Sequence, residues 1–333
     1  MVPRAAVIVL LAVVAGCGSA SREELPPAAE PASSPPPAAP PDGRLVPVGF
    51  KPEGIVADPR SGLIAVALRS PDELALRDGA SGAVRRRVAL PAAPRHLALE
   101  RAGGPVLVPA EDADELLRVA LPSGAITGAP TGREPHDVAA AGDRLFVADE
   151  FAHTLTVLDG ERPISRLRVA LQPGGVTPLD RGRQVAVVSV RERVVEVFDV
   201  ATGRRTGRAP AGVGPTHAVS DNGNYLFVAD TAGGALLVYH LRPRLELIRR
   251  YPLPGSPYGI AIDNRRHRMF VTQTARNQLT ELVVGGRPSL VGRYATPRQP
   301  NTVAVDEATG RVFVTGKADG VVQLLDPERE RTR

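Results

Sequence analysis

The chain has 333 residues, one cysteine and no tryptophan, and its formal net charge of +5 is carried almost wholly by arginine, Lys51 and Lys317 being the only lysines. Its arginines are scattered and few aromatics stand among them, which excludes the clustered basic and stacking surface that nucleic-acid binding needs. A lone cysteine also excludes an internal disulfide framework and a thiolate metal site, so a folded head must rest on its apolar core.

The N-terminus reads as an export signal. Arg4 is followed by an unbroken apolar run over residues 5–15 and then by Val14-Ala15-Gly16-Cys17. Eleven apolar residues are too few to span a bilayer, which takes about twenty. The tetrad resembles the lipobox of bacterial lipoproteins. That resemblance implies a signal peptide over 1–16, removed on export, and a Cys17 that carries lipid as the new N-terminus. Two acyl chains would hold the protein on a membrane, outside the cytoplasm and at the cell envelope. A plain secretory signal with an incidental cysteine is the alternative. Residues 22–42 contain eight prolines among alanine and serine. Such a stretch cannot bury a core and predicts an extended tether over 17–43, with a reach of about 65 Å at ~3.1 Å per residue. The head is expected over 44–326, with a short tail over 327–333.

From Pro52 onward a proline introduces a short apolar segment at nearly constant intervals: Pro52, Pro94, Pro135, Pro173, Pro215, Pro257 and Pro300. A period near forty residues, with strand-like segments throughout, predicts an all-β fold, a seven-bladed β-propeller of four-stranded blades. First strands such as Gly259-Ile260-Ala261-Ile262-Asp263 end in aspartate. Second strands share one phenylalanine position, held by Phe146, Phe227, Phe270 and Phe313. Continuous apolar runs suit inner strands covered on both faces, so these rings are expected between blades. Asp58, Asp221, Asp263 and Asp306 are expected to bond their own turns. The seventh repeat stops after three strands, whereas residues 44–50 form an orphan strand before the first repeat. Pairing the two would complete the last blade and remove two open edges. Pro47 is acceptable in an outermost strand.

The succession Pro-x-Gly-Ile-Ala-x-Asp, Phe-Val-(Ala/Thr), Leu-x-Val-x-Asp and Thr-Gly resembles the YVTN-type repeats, whose superfamily includes surface-layer propellers and the propeller domain of nitrous oxide reductase. Residues 259–272 and 303–315 carry the likeness best. Each element of the motif serves a turn or a core position. It therefore implies a fold shared by lactonases, streptogramin lyases and non-catalytic binding proteins.

Propeller ligands usually meet one face, where entry loops and second-to-third-strand loops surround the channel. The entry loops offer Glu53, Arg95, His96, His136, Asp137, Thr216, His217, Tyr258 and Asn301, of which Glu53, His96, His136, Asp137, His217 and Tyr258 stand out as candidates. The second-to-third loops offer Glu150, His153, Arg191, Gln273, Arg276 and Lys317. Of six histidines, His96, His136, His153 and His217 fall here, a pattern that could line a copper or zinc site or simply cap the channel. The acidic run Glu111-Asp112-Ala113-Asp114-Glu115 invites calcium but lacks the spacing of an EF-hand. No serine-hydrolase elbow or phosphate-cradling loop is present, and no cofactor is predicted. The favoured reading is a membrane-tethered, non-catalytic scaffold that binds an unknown protein, glycan or small molecule at its loop face. The alternatives are a lactonase- or lyase-like enzyme using His136, His217, Glu53 or Glu150 as bases or metal ligands, and a metal-handling protein.

Overall fold

The computed structural model describes residues 25–332, so the signal peptide 1–16 and Cys17 lie outside the described residues. Seven four-stranded antiparallel sheets make the ring. Blade three is typical, with strands Pro135–Ala141, Arg144–Asp149, Thr154–Asp159 and Arg162–Arg168 ordered from axis to rim. The repeat proline opens the innermost strand in six blades. In blade two only Ala98–Leu99 is regular strand, and Pro94 makes a single bridge to Ala110. Among the described residues no helix is long and apolar enough to cross a membrane.

Packing follows the repeat. The buried apolar residues fall into seven clusters, one for each interface between adjacent blades. Phe313 sits between blades seven and one, Phe146 between three and four, and Phe227 between five and six. Second and third strands are buried on both faces, whereas outer strands such as Val84–Ala89 are mostly exposed. The turn aspartates bond their own backbone: Asp263 accepts from the N–H groups of Arg265 and Arg266, and Asp221 from those of Gly223 and Tyr225. Arg44–Pro47 pairs with Val321–Leu325, with Val46 opposite Val322, and supplies the outer strand of blade seven.

The tether departs from its sequence expectation. Residues 25–42 do not stand off as free chain; they lie across the loop face of blades four to seven. Arg191 donates to the Leu25 carbonyl, and Ala28 packs against the core between blades four and five. Ser256 Oγ accepts the Ala32 N–H at 3.1 Å, and Gln299 Oε1 accepts that of Ser34 at 3.0 Å. Gln299 Nε2 donates to the Ala32 carbonyl and Asn277 Nδ2 to that of Pro35. The Asp42 N–H then bonds Ala295 O and leads into the closing strand. A proline-rich chain keeps few N–H groups and favours an extended form. Two of those it keeps, at Ala32 and Ser34, are matched by side chains of the face. Composition alone does not reveal that match.

Candidate functional site

Because the repeat proline opens the innermost strand in six blades and bridges to the second strand in blade two, the next two residues of every blade reach the axis at one end of the channel. The first position carries Glu53, Arg95, His136, Gly174, Thr216, Tyr258 and Asn301 in blade order. The second carries Gly54, His96, Asp137, Gly175, His217, Gly259 and Thr302. This second layer stitches neighbouring blades. Thr302 Oγ1 donates to the Glu53 carbonyl at 2.8 Å, and Asp137 accepts the Val176 N–H at 2.9 Å. Where glycine stands, the backbones themselves close up: a Cβ on Gly54 would lie 2.5 Å from the Arg95 carbonyl oxygen, and one on Gly259 2.5 Å from that of Asn301.

Three of the four candidate histidines converge. The Nε2 atoms of His96 and His217 are 3.1 Å apart, the His96 and His136 ring centroids 5.0 Å, and Tyr258 meets His217 edge-on at 4.6 Å. Burial holds His96 and His136 well below the ordinary imidazole value, reinforced at His96 by its two imidazole neighbours and at His136 by Arg95. Burial also brings His217 down to about 4. All three rings are therefore neutral at pH 7, and one of the His96–His217 pair donates its Nε2–H to the other. His136 differs: both ring nitrogens are buried without a hydrogen bond, and Nδ1 lies 3.5 Å from a Glu150 carboxylate oxygen.

An ionic collar surrounds these rings. Arg95 lies 3.2 Å from Glu111, 3.7 Å from Glu53 and 3.9 Å from Glu150, while Lys317 Nζ is 2.6 Å from Glu53 and Arg69 pairs with Glu111. Burial works against the Arg95 charge, but Glu111 and Glu53 more than offset it, and its pKa is raised. Burial raises Glu150 and, more strongly, the Tyr258 hydroxyl. Three cations thus meet three carboxylates, and the collar presents no large net charge. Beneath it a cavity of about 260 Å³ follows the innermost strands. His96, His217 and Asp137 stand at its collar end, and Leu97, Val138, Val176 and Ile260 line its wall. No residue of the second-to-third loops lines it. Burial lifts Asp137 to about 7 against the pull of the Val176 and Val138 N–H groups.

The remaining candidates stand apart from this cluster. His153 has a left-handed backbone (φ 57°), and its Nδ1 accepts the Gln172 N–H at 3.2 Å, so it belongs to a turn and not to the imidazole group. Arg191 holds the Leu25 carbonyl, and Gln273 donates to the Pro254 carbonyl at 2.5 Å. Arg276 is exposed beside Gly255. For copper or zinc the donor type fits, but among the described residues no group of three His, Cys, Asp or Glu side chains is arranged to hold a metal ion. In the acidic run of blade two, Glu111 is paired with Arg69 and Arg95, and Asp114 accepts the Glu134 N–H. Arg95, one of the entry-loop residues of the sequence, is central to the collar although it is not among the candidates singled out for the site. Its signal was an Arg-His pair in blade two at positions where four other blades place glycine or threonine second.

No protein-family model matches the chain, and no curated protein sequence does. Solved structures similar in fold include a chain of Kuenenia stuttgartiensis hydrazine synthase, 16% identical with a TM-score of 0.74 over 83% of this chain and 96% of that one. Virginiamycin B lyase from Staphylococcus aureus is 13% identical, with a TM-score of 0.70 over 86% of this chain and 100% of its own. A chain of a mitotic checkpoint complex is 11% identical, with a TM-score of 0.75 over 89% and 95%. At such identities the likeness is one of fold, and the three proteins named differ widely in what they do.

Proposed function

We propose that the chain is an exported, lipid-anchored propeller of the YVTN-repeat type that acts as a binding protein, holding a small ligand in its axial channel beneath His96 and His217. The observation that carries this reading is the cavity. Its volume of about 260 Å³ is near the lower end of small-molecule sites, most of its lining side chains are apolar, and polar and apolar surface face the space in about equal measure, with His96, His217 and Asp137 gathered at one end. That combination suits a compact ligand of mixed polarity, with its hydrogen-bonding groups directed at the imidazoles and the Asp137 carboxyl. Binding without turnover is supported by the state of the collar. Glu53, Glu111 and Glu150 are matched to cations, and His96 and His217 face each other. Lipid at Cys17 supplies the address.

Native mass spectrometry of the protein purified from its own membranes tests the reading. A bound small species is expected in the parent and absent from Ala218→Phe, which fills the channel wall. An empty parent whose thermal midpoint no small-molecule library moves would sink it. One observation favours an enzymatic reading of the lyase kind: His136 has two unbonded ring nitrogens beside Glu150. Turnover of any substrate that is lost in His136→Gln would establish that alternative in place of simple binding.

A further inference from the structure

The docked proline-rich segment fixes more than its own path. Leu25 sits on the loop face at blade four, held by Arg191, and only residues 18–24 separate it from Cys17. Whatever their conformation, eight Cα–Cα steps span at most about 28 Å. From that point the way to the opposite face runs out over two outer strands, about 10 Å, and then down strands of six residues, about 20 Å, with loops added at both rims. A chain of that length cannot make the detour.

We infer that the loop face is turned toward the bilayer, with the segment over 25–42 clamped between head and membrane, and that this face is a lipid-contacting surface. The inference rests on the proposed anchor at Cys17. The side chains of the face suit that position. Phe50 and Val213 are 60% and 53% exposed, and Leu171 and Phe151 are each 37% exposed. All four stand in loops of this face. Lys51 lies over the Phe50 ring at 5.1 Å and Arg133 near the Phe151 ring at 6.0 Å. Exposed rings under long basic side chains fit the headgroup layer, where the ring enters and the charge stays wet. Apart from Leu25 in the docked segment, the other large exposed apolar side chains among the described residues, such as Leu247 and Leu290, lie on outer strands, and none stands in a turn of the opposite face. Asp112 and Asp114 share the loop face and are exposed, so attraction to anionic lipid is not what orients it. The tether and the apolar loops do, and added salt should leave the orientation intact.

The chain contains no tryptophan, so one introduced indole is a sole reporter. The lipoprotein purified from membranes is reconstituted into vesicles carrying a headgroup dansyl acceptor, with the reporter at Val213→Trp on the loop face or at Asp143→Trp in a turn of the opposite face. Energy transfer is expected to be several-fold stronger from position 213, at low and at high salt. Ser34→Pro removes both the N–H and the hydroxyl that hold the segment to Gln299 and Thr274, yet lies outside every sheet. It should shrink the difference without changing the mass of the N-terminal lipopeptide. Equal or reversed transfer in a lipidated parent overturns the inference alone. An unmodified Cys17 in that mass measurement overturns the anchor, and the inference with it.

Discussion

His96 and His217 stand 121 positions apart in the chain and bring their Nε2 atoms to 3.1 Å across the axis. Neither nitrogen can find that partner within its own blade. The contact exists only once blades two and five have been fixed on one ring, so it reports closure of the whole fold as well as local chemistry.

Acid should loosen the head at a pH above the range of ordinary exposed carboxylates. His217 titrates at about 4 in the folded protein and near 6.5 when unfolded, and His96 and His136 are displaced in the same direction. As pH falls below 6.5 the unfolded chain takes up protons that the folded one refuses. Stability is then lost progressively down to about 4, by roughly 3 kcal/mol for His217 alone. Asp137, Glu150 and Asp149, each raised by burial, pull the other way over this window, but three imidazoles, two of them held well below their ordinary value, set the net direction. Urea midpoints should drop between pH 7 and pH 4.5, and less so in His217→Gln. A flat parent profile would refute the neutral-cluster assignment.

Asp137 supplies the opposite signature. With a folded pKa of about 7 and an unfolded one near 3.9, it binds a proton more readily in the folded state. Its contribution is therefore present at low pH and is lost as pH rises through about 7. Asp137→Asn keeps an oxygen for the Val176 N–H and removes the ionisation. We expect the variant to lose less stability than the parent between pH 6 and pH 8.5, measured by chemical denaturation. A parallel pair of profiles would show that the Asp137 carboxyl does not titrate in this range.

These two residues also show what the sequence could and could not yield. The blades were legible because the same short list of positions returns about every forty residues: Phe146, Phe227, Phe270 and Phe313 all fell between sheets as their register required. The axial candidates were legible from their place after the proline. Their relationships were not, since ring convergence depends on blade-to-blade rotation, which the chain order of His96, His136 and His217 does not express. His153 illustrates the limit. It shares a loop class with Glu150, yet its left-handed backbone turns the ring into a neighbouring turn. The segment over 25–42 misled for a different reason. Its proline content correctly predicts an extended chain, but whether an extended chain is free or docked depends on complementary groups elsewhere, here Ser256, Asn277 and Gln299.

Glycine in the second axial layer should be nearly irreplaceable. At Gly259 even a methyl group would sit 2.5 Å from the Asn301 carbonyl oxygen, 3.0 Å from the Thr302 Cα and 3.1 Å from the Thr272 hydroxyl. Two of these three obstacles are backbone, which cannot rotate aside. Gly259→Val must push blades six and seven apart at the axis, and overpacking of this kind costs on the order of 1–3 kcal/mol. Gly62→Ala offers a control, because its added Cβ meets nothing within 4 Å; only its positive φ of 70° brings strain. A thermal midpoint that falls no further for Gly259→Val than for Gly62→Ala would show that the axis has slack.

Ring closure should separate sharply from segment docking in a pair of N-terminal truncations. Beginning the mature chain at residue 42 removes the docked segment but keeps Arg44–Pro47 against Val321–Leu325. Beginning it at residue 51 strips that strand and uncovers Val322 and Leu324, while the core between blades seven and one loses Val46 and Val48. Each buried valine lost removes about 1.5–3 kcal/mol of apolar burial, and the open edge of blade seven becomes a template for pairing with another chain. The shorter truncation is expected to unfold near the parent midpoint as a monodisperse species. The longer one should lose at least about 3 kcal/mol and associate in solution, as read by denaturant titration and light scattering. Equal stability of the two truncations would mean that seven blades hold their ring without the outer strand, and that the pairing of Arg44–Pro47 is incidental to the fold.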